Sequence, residues 1–595
     1  MRKSAFLTLT LLLLISASCT YKHPQVKISG EYKLWHTLVF ECKGNYTSEF
    51  DEVNPFLNYR LDVTFTNGDY SCVVPGYFAG DGDAGESGAH SGNIWQVKFT
   101  PGLTGHWTFK VLFRRGEHIA VSDSSDWGIP QALDGYEGSF DIGPSDKTGN
   151  DFRAKGRIVD GGEHYMKYEG TGEYFIKAGA DSPENFLAYA GFDQIPATHR
   201  YEAHVKDWKP GDPDWKKGRG KGIIGAISYL ASQGMNSVYM ILMNVMGDGN
   251  DIWPWSDPYE RARYDISKLA QWDRVFTYME EKGVLAHFVL QETENEILLD
   301  QGQNDKIRKL FYRELVARFS HHLGIIWNLG EENGVASWTP LGQDDGMRKE
   351  MAAYLKKLIP YNSIIMMHTH ADLEHQELML IPLLGNPDFS GPSLQVHAAA
   401  DVHQRVLKWR SLSEFKGRNW ICNFDELGPA DSGVVPDDND PDHDLVRTQC
   451  LWGSLMAGGG GVEWYFGYKY PHNDLNCEDW RSREQMWKQT AIARQFFEAL
   501  PLEEMKPFDT MVKPDNAFCF ADPSKLIVVF LQPGSKEFSL KGIYNDGEWQ
   551  VLWVNPKVGN SLEGSPVNVK NGQCSLKRPA EMNRGDLVCK LTRSM

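Results

Sequence analysis

Cations are scarce in this chain. Lys and Arg total 61 against 79 Asp and Glu, a formal net charge of −18. Phosphate recognition needs a basic footprint, so nucleic acid is excluded as the main partner, and so is a polybasic membrane surface. No two of the nine cysteines have C-x-x-C spacing, and no H-E-x-x-H occurs, which excludes zinc-ribbon and zincin signatures. Beyond the first 20 residues no apolar run reaches the roughly 18 residues of a membrane-spanning helix. Internal repeats and low-complexity segments are missing too. What is present is a chain of 595 residues, long enough for about three domains. Hydrophobic residues make up 41% and charged residues 24%, the balance of globular protein rather than of disorder. The 19 Trp, 24 Tyr and 29 Phe suit β-sandwich cores and the stacking of sugar rings.

The first residues form a separate device. Arg2 and Lys3 precede an apolar run at 6–15, and Ser16-Ala17-Ser18-Cys19 follows it. Small residues and then a cysteine resemble a bacterial lipoprotein cleavage box. The expectation is a signal peptide at 1–18, a lipidated Cys19, and an exported lipoprotein tethered to the membrane. Its place would be the outer-membrane surface or the periplasmic face of a bacterial envelope. Eight cysteines remain, and export permits disulfides. Cys42 with Cys72, or a pair among Cys519, Cys574 and Cys589, could bridge; buried free thiols are the other reading.

Three regions follow. Residues 26–142 alternate apolar and polar with period two, as in Leu61-Asp62-Val63-Thr64-Phe65 and Trp107-Thr108-Phe109-Lys110-Val111. Turn signals at Thr66-Asn67-Gly68 and Pro101-Gly102 separate the runs, so a β-sandwich is expected. Between 150 and 500 the pattern changes to short apolar strands alternating with amphipathic helices. Eight strand candidates stand at 174–179, 236–243, 284–290, 325–330, 363–367, 394–397, 420–424 and 461–466. Eight strand–helix units predict a central (β/α)8 TIM barrel with enlarged loops. The competing doubly wound sheet would favour a glycine fingerprint after the first strand, and Ala178-Gly179-Ala180-Asp181 is not one. Residues 505–595 read as β again, a second small sandwich. The expected fold is thus multidomain, a TIM barrel flanked by N-terminal and C-terminal β-sandwiches.

In such a barrel the active site forms at the C-terminal ends of the strands. Those ends carry Asp181 (first), Glu292 and Glu294 (third), Asn328, Glu331 and Glu332 (fourth), His368 and His370 (fifth), His397 (sixth), Asp425 and Glu426 (seventh), and Glu463 and Trp464 (eighth). Carboxylates beside Trp and His are the mixture glycoside hydrolysis needs. One carboxyl protonates the leaving oxygen while the other attacks the anomeric carbon or activates water. Asp425 and Glu426 are neighbours on one strand and should point to opposite faces.

Trp-Asn-Leu-Gly-Glu-Glu-Asn (327–333) resembles the fourth-strand signature of clan A glycoside hydrolases. The resemblance implies an acid/base Glu after strand four and a nucleophile Glu at the end of strand seven. Glu332 and Glu426 take these roles, about 94 residues or three units of about 31 apart. Glu331 stands where the clan has Asn and is the rival acid. Trp464 and His397 resemble substrate-binding positions of the clan, and Asn328, Glu292, Glu294, His370 and Asp181 complete the expected binding set. Residues 26–142, with Asn54-Pro55-Phe56 and Gly76-Tyr77-Phe78, resemble an all-β domain of unknown function that precedes such barrels. Residues 505–595, with Ala521-Asp522-Pro523 and Trp553-x-Asn555-Pro556, resemble a small β-domain family named for collagen binding. The implied activity is a retaining glycosidase acting on a poly- or oligosaccharide, with no cofactor and no metal. The alternatives are a non-catalytic sugar-binding lipoprotein, or a metal-dependent hydrolase built on His368-x-His370 with His397.

Overall fold

The computed structural model describes residues 26–124, 127–428, 430–431, 433–582 and 584–594. Cys19 and the expected signal peptide lie outside the described residues.

Eight parallel strands close into a barrel in sequence order. They are β1 (Lys177–Ala180), β2 (Ser237–Ile241), β3 (Leu285–Val289), β4 (Ile325–Asn328), β5 (Ile364–His368), β6 (Gly391–Val396), β7 (Asn423–Leu427) and β8 (Gly461–Trp464). Every residue in them is buried, as strands covered on both faces require. The expected helices stand between them. The helix Ile266–Lys282 starts on Asp265, whose carboxylate accepts from Lys268 N at 2.9 Å, and ends at left-handed Gly283.

The first, sixth and seventh expected strands sit differently, the sixth beginning three residues early at Gly391. The first candidate, 174–179, divides: Tyr174–Phe175 joins an antiparallel sheet with Ile158–Asp160 and Met166–Tyr168, and only Lys177–Ala180 enters the barrel. That sheet supplies Ile158, Met166 and Phe175 to a cluster with Leu285, Ile326, Ile364 and Ile421. The seventh strand starts three residues later than expected. Trp420-Ile421-Cys422 is the buried approach, and the polar stretch with both carboxylates is the strand itself.

The N-terminal region pairs a four-stranded sheet with a five-stranded one. Phe65 and Phe99 stack at 3.9 Å between them, and Trp107 is fully buried beside Phe99. Each such side chain contributes roughly 1.5–3 kcal/mol by leaving water. The C-terminal region pairs a six-stranded sheet with a three-stranded one. Both β regions pack on the barrel's helices. Arg313 Nη2 donates to Asp62 Oδ1 at 2.6 Å on one side, and Arg447 grips Asp586 with two 2.8 Å bonds on the other. The eight described cysteines are buried free thiols, so neither candidate disulfide forms.

Candidate active site

The barrel interior below the mouth is polar and ionised. Lys177 on β1 reaches Asp425 on β7 and Glu463 on β8, each at 2.7 Å, with none of the three exposed. His287 Nδ1 on β3 lies 2.8 Å from the same Glu463 oxygen. Burial opposes the charge on Glu463, yet Lys177 and His287 hold its carboxyl down at about 2. Burial likewise opposes charge on Lys177, and Asp425 and Glu463 raise it above the usual lysine value.

A β-bulge connects this interior to the mouth. Leu394 of β6 faces Phe424 of β7, but the next residue, Gln395, faces Glu426. Asp425 is therefore the extra residue, and strand alternation fails at this point. Both carboxylates turn inward, contrary to the expectation that they oppose each other. Asp425 points down to Lys177 and Glu426 lines the mouth.

Glu426 is held from two sides. Gln395 Nε2 donates to its Oε1 at 2.6 Å, and His368 Nε2 lies 3.1 Å from its Oε2. Behind His368, Nδ1 lies 3.2 Å from Ser393 Oγ, whose hydroxyl donates to Asp425 Oδ2 at 2.5 Å. With that hydroxyl proton committed to Asp425, Nδ1–H must donate to Ser393, and Nε2 is left to share a proton with Glu426. The interior salt bridge thus orients the imidazole that touches Glu426.

Glu331 and Glu332 follow β4 on a loop pinned by Thr293, whose hydroxyl donates to both carbonyls at 3.2 and 3.1 Å. Glu332 takes the left-handed backbone region at φ +39°, a strained conformation for a non-glycine residue. The two carboxyls part there. One oxygen of Glu331 lies within 4.8 Å of ligand atoms on Glu426 and His368. Glu332 turns instead to His370 Nδ1, at 3.6 Å.

Their protonation diverges accordingly. Burial and then the Glu426 charge push Glu331 well above the usual carboxylate range. Burial also raises Glu426, but His368 works against it. Burial opposes charge on Glu332, and the facing His370 nevertheless holds it below its ordinary value. The crowding extends outward. Glu184 is raised by burial and by Asp474, and Glu292 by burial and by Glu331. Seven carboxyl side chains line a cavity of about 100 Å³ at the mouth: Glu184, Asp248, Glu292, Glu294, Glu331, Glu332 and Glu426. Thr293, Gln395, Ala430, Tyr465 and Tyr468 complete its wall.

The expected binding residues separate into three groups. Glu292, Glu294, Glu331, Glu332 and Glu426 come together at the cavity. Asp181, Asn328 and His370 lie beside or beneath it. Asp181 is fully buried, and neither carboxylate oxygen has a hydrogen-bond partner; burial and then Glu426 drive its carboxyl well upward. Asn328 is a strut, accepting from His368 N at 3.0 Å while its amide lies 3.0 Å from His287 Nε2. Trp464 and His397 do not join. Trp464 is buried against the outer helix Glu484–Glu498, donating to Thr490 Oγ1 at 2.9 Å. Because Glu463 points into the barrel, its neighbour must point out. His397 is exposed beyond the end of β6. Three oxygen-donor or mixed groups could hold a cation near the barrel axis: Asp181 with Glu184 and Glu426, Glu331 with His368 and Glu426, and His287 with Asp425 and Glu463. Lys177 already fills the last.

Sequence reasoning missed Gln395, Tyr468 and Asp474. Gln395 carries a signal in retrospect, since it is the one long polar side chain on a fully buried strand. Asp474 carries none, because it reaches β1 from a loop after β8, where its Oδ1 accepts from Ser182 Oγ.

A solved structure from Bacteroides vulgatus, described as a candidate glycoside hydrolase, aligns over 94% of this chain and 99% of its own. The TM-score is 0.65 and the identity 14%. A family 5 glycoside hydrolase from the same organism aligns over 74% of this chain and 93% of its own, with TM-score 0.52 and 14% identity. These likenesses show the fold, a closed eight-stranded barrel with β regions on either side. The family model "Domain of unknown function (DUF5060)" matches residues 31–114, within the N-terminal β region. No functionally curated protein matches the chain.

Proposed function

We propose that the chain is a retaining glycoside hydrolase in which Glu426 is the nucleophile and Glu331 the acid/base. One observation carries this reading: an oxygen of each carboxyl lies within 4.8 Å of the other at the ends of β4 and β7, with His368 favouring charge on Glu426 and the Glu426 carboxyl opposing it on Glu331. Oxygens that close suit the carboxyl spacing of about 5–5.5 Å in retaining enzymes better than the about 6.5–9.5 Å that leaves room for an inverting water. Glu331, protonated, donates to the departing oxygen while Glu426 attacks the anomeric carbon. Glu331 then takes a proton from the incoming water. The sequence favoured Glu332 as the acid, but its depressed carboxyl facing His370 supports a substrate-binding role.

Seven carboxyls around the cavity disfavour uronates and other polyanions, so the substrate would be a neutral glycan. Lipidation at Cys19 would place the enzyme on the cell envelope, where such a glycan is met. The test is hydrolysis across a glycan panel by wild type, Glu331→Gln, Glu332→Gln and Glu426→Gln, with the anomer formed first followed by NMR. Loss of roughly 10³-fold or more in Glu331→Gln and Glu426→Gln, a smaller loss in Glu332→Gln, and retained configuration are expected. Glycan binding without turnover would point to a sugar-binding lipoprotein.

A further inference from the structure

A second polar cluster lies away from the barrel mouth, where the N-terminal sandwich meets the barrel's helices. Asp273 projects from the helix Ile266–Lys282. His321 and His322 occupy the turn after the helix Lys306–Phe319. Arg157 pins that turn by donating to the carbonyls of Ser320, His321 and His322 at 3.1, 3.3 and 2.6 Å. The two imidazoles converge on one oxygen: His321 Nε2 is 3.5 Å and His322 Nε2 is 3.3 Å from Asp273 Oδ1. All three residues are at least 85% buried.

Two of the three contacting atoms are left unsatisfied. Asp273 Oδ1 and His322 Nε2 are buried without a hydrogen-bond partner, and so is His321 Nδ1. Buried polar atoms left unpaired cost about 1–3 kcal/mol each. The spacing has another meaning. Ligands about 2.0–2.1 Å from a tetrahedral Zn2+ stand roughly 3.3–3.5 Å from one another. The surroundings also fit. Lys98 pairs with the other oxygen, Oδ2, and so leaves Oδ1 free. The far side of the His322 ring, Nδ1, faces Glu280 Oε2 at 3.7 Å, the carboxylate–histidine arrangement that orients metal ligands. Glu280 lies two turns along the same helix face as Asp273. A cavity of about 290 Å³ between the sandwich and that helix extends to Lys98 and Asp273.

We propose that Asp273, His321 and His322 form a binding site for a divalent ion of the Zn2+ class, joining the sandwich-facing helix to the turn behind it. Two imidazoles and one carboxylate make three protein ligands, with water completing the shell. The site stands apart from the barrel mouth and does not depend on the glycosidase reading.

The test uses the full chain, stripped with EDTA, reloaded with Zn2+ and desalted. Retention of about one Zn2+ per chain is expected, with at least about tenfold weaker binding in Asp273→Asn and His322→Gln of unchanged circular dichroism. Wild type loaded with Co2+ should show ligand-field absorption of a low-coordinate site, and X-ray absorption should find two imidazole nitrogens. The proposal is overturned if folded wild type retains no ion, or if the variants bind it as well as wild type. A shell of carboxylate oxygens alone would also overturn it, since that would place the ion at the barrel mouth. Should the variants misfold, the wild-type Co2+ spectra decide.

Discussion

At the scale of single residues, the site works by giving like groups unlike surroundings. Glu331, Glu332 and Glu426 are three Glu side chains in one cup. His368 and Gln395 support charge on Glu426, His370 supports it on Glu332, and Glu331 faces other carboxyls. Removing the Glu332 charge should therefore make Glu331 easier to ionise. In Glu332→Gln the basic limb of the pH–rate profile should move to lower pH; an unmoved limb would count against Glu331 as the acid. Deeper in, Lys177→Met leaves Asp425 and Glu463 buried without their cation, and a cost of about 3–5 kcal/mol is expected in urea unfolding. The pH dependence has a definite sign. A carboxyl depressed from 4.5 to about 2 stabilises the fold above the ordinary value, and that share is lost as pH falls through about 2. The gap between wild type and Lys177→Met should hold at neutral pH and narrow in acid.

At the scale of elements, two glycines set how closely the strands approach. Gly461 opens β8 with φ +146°, and a Cβ there would come within 2.2 Å of the Lys177 carbonyl oxygen on β1. Gly391 opens β6 in the same way against Ile421. Gly461→Ala combines backbone strain with a clash against main chain, so a loss of roughly 2–5 kcal/mol in thermal unfolding is expected. Gly534→Ala is the control, having φ +99° and nothing within 4 Å of the new Cβ; about 1–2 kcal/mol should be its whole cost. The barrel's strands were legible because short apolar runs alternating with amphipathic helices have few other solutions. The bulge in β7 was not, because an extra residue leaves the local pattern unchanged and shows only in the register against β6. Trp464 misled for a related reason: an aromatic at a strand end can face the mouth or the outer helix, and only Glu463 turning inward decides.

At the scale of the molecule, the β regions are bound to the barrel by buried ionic and aromatic contacts. Arg447 meets Asp586 across the C-terminal boundary, while Trp452 stacks on Phe530 at 5.3 Å and His403 on Phe518 at 3.9 Å. Arg447→Ala should strand Asp586 in a buried place at a cost of about 3–5 kcal/mol. Limited proteolysis should then cut sooner around Pro501 than in wild type. Equal cutting rates would show that the apolar stacking alone holds the C-terminal region.

The sequence by itself determined the eight barrel strands, the β character on either side, and the carboxylates at the ends of strands four and seven. Periodicity and strand-end position are local properties, carried within a few residues. The tertiary structure decided which carboxyl faces which. The parting of Glu331 from Glu332, the inward turn of both Asp425 and Glu426, and the arrival of Gln395 beside them depend on register and loop path. Those are set by contacts between segments distant along the chain, where no local pattern reaches.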